Sequence, residues 1–485
     1  MGARADAEFN TTGSRWLQPV SERLGFPLDQ VNFLVCQLFA LAAAFWFRLY
    51  LSPSHACPLV RHTVATLLGI ALLIFCFGCK NIFFLPINTI FNFLHSVTYR
   101  YSMVTAMGYL TVCQVSRAFI FNYGILSTDF SGPLMIVTQK ITTLAFQLHD
   151  GNTEERIVRP SVIEYLSYNL NFLSVLAGPC SNYKDYIDFI EGRHISERLR
   201  PHVHLKHVLL SLQSSVCRKL LVCCGCMLFF LVVTRSLPIK YNVDHDFVSH
   251  APFLSRLAYA FFSIQAARPK FYFAWTLADA VNNAAGYGFL GMDENGKPSW
   301  DLVRNLNIFG IETATSFKTF IDNWNIRTGI WLKAVCYDRA PKHRLALTFL
   351  LSALWHGVYP GYYFTFITAI PITIAARAVR KSVRHHFLGS RGLKLGYDFL
   401  TWAATQLAIG YTVMPFLLLA VEPTMVYYRS MYFHVHIISI LAAIALNQKH
   451  KPRETSATTE RFPFSSSCPA PCQPVHSTNN NKKVD

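Results

Sequence analysis

The chain has 485 residues, of which 52% are hydrophobic and only 15% are charged. Soluble domains usually carry about 25% charged residues, so this composition excludes an ordinary soluble protein and favours one embedded in lipid. The net charge of +17 does not indicate nucleic-acid binding, because many basic residues lie in short loops between apolar runs and no recognition module accompanies them.

Apolar runs recur from residue 31 to residue 446, between a polar N-terminal segment (1–30) and a polar tail (447–485). A helix needs about 20 apolar residues to cross the hydrocarbon core. The runs, with more polar stretches at Lys80–Arg100 and Phe271–Phe289, predict an all-α polytopic membrane protein with about ten or eleven membrane-embedded helices. The tail has too little apolar content to fold alone and is predicted to be disordered. The apolar runs are Val31–Phe47, Thr63–Cys79, Met103–Val115, Leu134–Leu148, Tyr165–Cys180, Leu220–Val233, Leu257–Ala267, Leu345–Trp355, Tyr362–Ala376, Phe399–Val421 and Ser430–Leu446.

The 13 cysteines predict neither a metal site nor a disulfide framework. Several lie inside apolar runs, where cysteine is most often a small packing residue. Cys223 and Cys226 have C-x-x-C spacing, but no second pair completes a metal site.

Clusters of basic residues between the later apolar runs set the expected orientation, because cytosolic loops carry an excess of Lys and Arg. Leu345–Ala376 lies between two such clusters and is therefore predicted to be a hairpin that enters and leaves on the cytosolic side. His356 falls at its deep end, about 18 Å along a helix from the entry and so near the middle of the bilayer. The tail after residue 446 is also expected in the cytosol. The basic residues are Lys333, Arg339, Lys342, Arg344, Arg377, Arg380, Lys381, Arg384, Arg391, Lys394, Lys449, Lys451 and Arg453.

Polar residues inside a membrane are costly and are functional candidates by default. His356 ends an apolar helix and is followed by glycine; histidine can act as a base near neutral pH, but it can also be a hydrogen-bonded member of a helix bundle. Asn325 lies in a mixed polar and aromatic stretch, 317–326, which suits an amphipathic helix at the membrane surface.

Two further groups of residues have two interpretations each. Arg268 and Lys270 could bind phosphate groups or could be interface residues that extend their charges to water. The stretch from Tyr428 to His436 has the composition of an aromatic belt at a membrane surface, with histidines further in.

These segments together resemble the membrane-bound O-acyltransferase family over about Thr11–Leu446. The run from Trp355 to Tyr362, WHGVYPGY, is similar to the histidine motif of that family, and Trp324-Asn325-Ile326 is similar to its asparagine motif. Three further blocks resemble those that mark its lysophospholipid branch: Trp300-Asp301, Lys140 with Asp150-Gly151, and Tyr428 to His436.

The resemblance implies tilted helices around an intramembrane tunnel and transfer of an acyl group from acyl-CoA, with oleoyl-CoA favoured, to a lysophospholipid. Lysophosphatidylethanolamine and lysophosphatidylserine are the expected acceptors, and the endoplasmic reticulum is the expected location. His356 would be the base, and Asn325 would stabilise the oxyanion or orient a substrate. No metal or bound cofactor is expected. The candidate substrate-binding residues are Trp300, Asp301, Trp355, Lys140, Arg268, Lys270, Tyr428 and His436.

Two alternatives remain at this point. A different acyltransferase of the same family would act on another lysophospholipid, a sterol, diacylglycerol or a protein. A transporter would also explain many spans and intramembrane polar residues, although no paired hydropathy repeat is present. Lys482 and Lys483 near the end of the sequence resemble a dilysine signal for retrieval to the endoplasmic reticulum.

Overall fold

The computed structural model describes residues 13–78, 99–120, 130–151, 159–198 and 205–448. These residues are almost entirely helical; the one strand pair among them is antiparallel and joins Gly291–Met292 to Pro298–Ser299. Short 3₁₀ turns at Thr234–Ser236, Ile239–Val243 and Arg384–Phe387 and a π turn at Lys333–Tyr337 extend or connect the α-helices. The α-helices are α1 (Gln18–Leu24), α2 (Leu28–Tyr50), α3 (Pro58–Phe77), α4 (Tyr99–Ile120), α5 (Ser131–Asp150), α6 (Val162–Leu170), α7 (Tyr183–Glu191), α8 (Arg193–Arg198), α9 (Leu205–Val233), α10 (His245–His250), α11 (Phe253–Ala285), α12 (Ile308–Glu312), α13 (Phe317–Asn323), α14 (Ile326–Leu332), α15 (Arg344–His356), α16 (Pro360–Val383), α17 (Arg391–Leu418), α18 (Val421–Ser430) and α19 (His434–Gln448).

Several helices are long and apolar enough to cross a membrane. Within the described ranges these are α2, α3, α9 and α16, and the pair α18 and α19, bent by 72°, would be a fifth span. Helices α5 and α11 also have sufficient length but carry buried charged residues. The all-α, multi-span class predicted from the sequence is confirmed. Most of the segment Lys80–Arg100 and nearly all of the tail lie outside the described residues.

Helix α11 joins two segments that the sequence separated. The runs Leu257–Ala267 and Phe271–Phe289 were expected to be distinct, because Arg268, Pro269 and Lys270 intervene, but one helix of 33 residues passes through them. Arg268 is only 4% exposed, and its Nη1 donates to Glu312 Oε2 at 3.1 Å. Because the Arg268 charge is paired inside the protein, the helix can continue through this position within the bundle.

The predicted span Tyr165–Cys180 is helical only as far as α6, which ends at Leu170. Asn171 donates from its side chain to the carbonyl oxygens of Ser167 and Tyr168, and the Ser174 hydroxyl donates to Asn171 Oδ1 at 3.0 Å. Such local side-chain bonds compete with helix continuation. The irregular segment that follows supplies one wall of the cavity described below.

The hairpin of α15 and α16 is held against α17 by very close backbone contact. A Cβ atom on Gly361 would lie 2.1 Å from the carbonyl oxygen of Pro415, so no larger residue fits there without a shift. The Gly361 amide also donates to the Leu419 carbonyl at 2.8 Å. Small residues allow membrane helices to approach in this way, and here the contact fixes the turn that follows His356.

Candidate active site

His356 is the last residue of α15, as the hairpin prediction requires. Gly357 ends the helix with φ 142°, a conformation that side-chain-bearing residues rarely adopt. The imidazole packs against four aromatic rings, with centroid distances of 4.7 Å to Trp355, 4.9 Å to Phe416, 5.3 Å to Phe366 and 5.8 Å to Tyr362. None of the hydrogen bonds formed among the described residues involves this imidazole. Its nitrogens are therefore available to a ligand.

Asn325 occupies the break between α13 and α14 with φ 47° and ψ 52°. Asparagine tolerates this left-handed conformation better than most residues. Asn305 fixes the turn, because its carbonyl oxygen accepts from the Ile326 amide at 2.7 Å and its Oδ1 accepts from the Arg327 amide at 3.1 Å. The Asn325 side chain does not cap α14 and has no hydrogen bond within the described ranges.

One cavity of about 200 Å³ brings His356 and Asn325 together. Its wall combines apolar surface with a few convergent polar side chains, which is the usual character of a small-molecule site. Helices α5, α11, α14 and α15, the irregular segment after α6, the loop at Asn305 and the break at Asn325 contribute to it. The lining residues are Gly132, Met135, Ile136, Gln139, Leu176, Ala177, Pro179, Cys180, Trp275, Asn305, Asn325, Arg327, Thr328, Trp355 and His356.

Trp355 also lines this cavity and anchors the C-terminal end of α15. Its Nε1 donates to the Met135 carbonyl at 3.1 Å, and its own carbonyl accepts from Gln114 Nε2 at 3.0 Å. Its ring packs against Trp331, whose Nε1 donates to Thr142 Oγ1 at 2.9 Å. These bonds connect α15 to α4, α5 and α14, so the position of His356 is defined by its neighbours.

Lys140 is fully buried beside the cavity without lining it. Its ammonium donates to the Tyr168 carbonyl at 2.8 Å and to the Ser174 hydroxyl, and it lies 5.2 Å from the centre of the Tyr168 ring. These contacts tie α5 to the irregular segment after α6. The preceding residue, Gln139, is the one that reaches the cavity.

Trp300 and Asp301 belong to a different part of the molecule. Trp300 packs against Phe289 and donates from Nε1 to Ser211 Oγ at 2.9 Å. Asp301 pairs with Arg304 at 3.1 Å and lies 3.9 Å from Lys219. The structure shows these residues connecting α9 to the loop after α11, away from the cavity wall.

Arg268 and Lys270 are likewise absent from the cavity wall. Beyond its pair with Glu312, Arg268 donates to Gln406 Oε1 at 2.9 Å and lies over the Phe320 ring at 5.0 Å. Lys270 is exposed on α11.

Tyr428 and His436 form a second polar cluster with Thr368 and Tyr411. The Tyr428 hydroxyl and Thr368 Oγ1 are 3.1 Å apart, and His436 Nε2 lies 2.9 Å from the same Oγ1. His436 Nδ1 lies 2.8 Å from the Tyr411 hydroxyl. Both nitrogens of this histidine are therefore engaged, and the cluster joins α16, α17, α18 and α19.

Several of the lining residues carry no sequence signal that marks them as part of a site. Gln139, Cys180, Asn305 and Arg327 come from four separate segments, and no periodicity connects them. Arg327 follows Asn325 by two residues, and this proximity was a usable signal. Because the backbone conformation of the turn was unknown, however, the spacing did not show whether the two side chains lie on the same side. Among the described residues, no group of three His, Cys, Asp or Glu side chains could hold a metal ion.

The fold and this cavity define a class: a multi-span membrane protein with a cavity lined by a histidine and an asparagine. Residues 98–417 match the sequence model of the membrane-bound O-acyltransferase family. The chain therefore belongs to that family and is an acyltransferase, which confirms the resemblance found in the sequence.

Individual relatives extend the similarity over most of the chain. It is 55% identical to membrane-bound glycerophospholipid O-acyltransferase 1 of Mus musculus, across 94% of this chain and 98% of the relative. The protein of the same name from Homo sapiens is also 55% identical, across 94% and 95%. Membrane-bound glycerophospholipid O-acyltransferase 2 of Gallus gallus is 50% identical, across 91% and 89%.

Proposed function

We propose that this acyltransferase moves an acyl chain from acyl-CoA, preferably oleoyl-CoA, to the free hydroxyl of lysophosphatidylethanolamine or lysophosphatidylserine. The names of the similar proteins support a glycerophospholipid product. The choice of headgroup rests on the resemblance to the family branch that acts on ethanolamine and serine lysophospholipids, because no residue of the chain specifies it. The observation that carries the proposal is the meeting of His356 and Asn325 in one cavity, each with an uncommitted polar side chain.

His356 acts as the general base in this proposal. A glycerol hydroxyl is a poor nucleophile at neutral pH, and a positioned base contributes about 10²–10⁴ in rate. The imidazole takes the hydroxyl proton as the oxygen attacks the thioester carbonyl. A carbon–oxygen ester bond forms, the carbon–sulfur bond breaks, and the proton passes from the imidazolium to the departing CoA thiolate. The acyl group is transferred directly, without an acyl-enzyme.

Asn325 serves the same step from the other side of the cavity. The attack creates an oxyanion, and a preorganised amide donor stabilises such a charge without further reorganisation. An orienting contact to the thioester or the acceptor is the second role open to this amide. The aromatic walls around His356 exclude water, which protects the thioester from hydrolysis.

The substrates reach the cavity from different phases. Acyl-CoA is soluble and anionic, so it enters from the basic face that the sequence assigns to the cytosol. The lysophospholipid enters sideways from a leaflet of the endoplasmic reticulum membrane, with the tail after residue 446 in the cytosol. No bound cofactor or metal takes part in the proposal.

A panel of acceptors tests this function. The protein is expressed in microsomes and supplied with radiolabelled oleoyl-CoA and equal amounts of lysophospholipids that differ only in headgroup, with a sterol and diacylglycerol for comparison. Ethanolamine and serine acceptors are expected to be converted fastest. Preference for the choline or inositol acceptor, or for a neutral lipid, would assign a different acceptor, and absence of acyl-CoA consumption would overturn the proposal.

A further inference from the structure

Arg327 brings a positive charge into the cavity that holds His356 and Asn325. Its Nε is buried and has no hydrogen-bond partner, and no ion pair to its guanidinium forms among the described residues. The proposed chemistry of base and oxyanion donor makes no use of this group. Its charge therefore requires a separate explanation.

Three buried cations of the bundle show how this protein can compensate a charge, whereas Arg327 is itself partly exposed and only its Nε is buried. Lys219 pairs with Asp279 at 2.7 Å, Arg268 pairs with Glu312, and Lys140 donates to a carbonyl oxygen and a hydroxyl. An uncompensated cation away from bulk water is costly, and inside membranes such groups mark ligand sites. Among the described residues, none provides an acceptor or a negative charge for the Arg327 guanidinium. A ligand could provide that group.

We propose that Arg327 binds the phosphate of the lysophospholipid acceptor. This inference rests on the proposed function, because it assumes a phosphate-bearing acceptor in this cavity. A guanidinium binds phosphate through two parallel hydrogen bonds and thereby fixes both position and orientation. Arg327 is a binding residue in this account and takes no part in proton transfer.

The covalent structure of the two substrates favours the acceptor over the donor. In a lysophospholipid the reacting hydroxyl and the phosphate ester are both on the glycerol, so a phosphate at Arg327 keeps the hydroxyl inside the same small cavity as His356. In acyl-CoA the whole pantetheine arm separates the thioester from the nearest phosphate. A thioester at His356 therefore places the CoA phosphates well beyond this cavity.

The backbone on both sides of Arg327 is already fixed. Asn305 holds the amides of Ile326 and Arg327, and Thr328 Oγ1 accepts from Gln139 Nε2 at 2.9 Å. Arg327 thus lines the cavity from a rigid support. A preorganised cation loses little freedom when the phosphate binds, which raises its contribution to affinity.

Kinetic measurements on Arg327→Gln test the assignment. We expect the KM for lysophosphatidylethanolamine to rise about tenfold to a hundredfold, as for a lost charged hydrogen bond, while the KM for oleoyl-CoA changes less than about twofold. Arg327→Lys, which keeps the charge and loses the bidentate geometry, should lie between wild type and Arg327→Gln. The matched control is Arg23→Gln, which removes an exposed charge from α1 and should behave as wild type.

A second measurement distinguishes a loss of phosphate binding from a folding defect of the variant. Binding of radiolabelled lysophosphatidylethanolamine is compared in His356→Ala and in His356→Ala with Arg327→Gln, beside monoacylglycerol, which has the glycerol but no phosphate. Only lysophospholipid binding should weaken. A rise in the KM for oleoyl-CoA alone would assign Arg327 to CoA, and unchanged constants in an active protein would overturn any phosphate contact. Failure of the wild type to acylate lysophospholipids would instead overturn the proposed function.

Discussion

Two histidines of this protein have opposite surroundings. His436 has both ring nitrogens within hydrogen-bond distance of hydroxyl groups, from Thr368 and Tyr411. His356 packs against aromatic rings, has no hydrogen bond among the described residues and lines a cavity. In sequence both were intramembrane histidines of a family motif. The difference teaches that a buried polar group is a candidate for chemistry when its own protein leaves it without a partner.

The same contrast extends to the other candidate residues. Lys140, Arg268 and Trp300 direct their polar atoms to other parts of the protein. Asn325 and Arg327 line the cavity, and their side chains form no hydrogen bond among the described residues. The first group holds the helices together in a medium where an unmade hydrogen bond is expensive, and the second group is left for substrates.

The strongest test of the contrast is His356→Ala. We expect activity to fall by about 10²–10⁴, the usual contribution of a positioned base, with normal expression and membrane insertion. Acyl transfer per folded molecule is measured in microsomes with oleoyl-CoA and lysophosphatidylethanolamine. His245→Ala, at a side chain 94% exposed, is the control. A well-expressed His356→Ala protein with most of the wild-type turnover would remove this residue from the reaction.

Asn325→Ala is expected to have the next largest effect. Loss of one oxyanion donor lowers kcat by about 10²–10³, whereas binding of acyl-CoA should change little. The measurement is a comparison of kcat with the KM for the donor. Because Asn325 has a left-handed backbone, Asn325→Asp, which keeps a tolerant side chain but removes the donor, controls for strain. A change confined to KM would make Asn325 a binding residue.

His436→Ala should have the smallest effect on catalysis and a clear effect on stability. Its loss removes the hydrogen bond to the Tyr411 hydroxyl and leaves Thr368 only its contact with Tyr428, at a cost of about 1–3 kcal/mol. Thermal unfolding in detergent should show the loss, and turnover per folded molecule should stay within about threefold of wild type. The substrate-binding role predicted from the sequence would raise the acceptor KM instead, so the two accounts give different results.

The fold and the helix end at His356 could be predicted from the sequence because their signals are local. An apolar run ending in His356-Gly357 defines a helix end, and the structure places that end at this residue. Glycine and proline after it predict a turn. These features depend on neighbours in the chain and need no knowledge of tertiary contacts.

The composition of the cavity was not predictable, because it depends on contacts between distant segments. Lys140 and Gln139 are adjacent, yet one is bonded to Tyr168 and the other lines the cavity. Whether Arg268 faces a substrate or Glu312 depends on how α11 and α12 pack. Side-chain direction on a buried helix is decided by its neighbours, which a single sequence does not specify.

A structure with both substrates in place tests the central claim most directly. A thioether analogue of oleoyl-CoA, which cannot transfer its chain, and lysophosphatidylethanolamine would be bound together. We predict that the free hydroxyl of the acceptor lies about 2.6–3.2 Å from a nitrogen of His356. A hydroxyl bound at the cluster of Thr368, Tyr411 and His436, or out of reach of His356, would contradict the account.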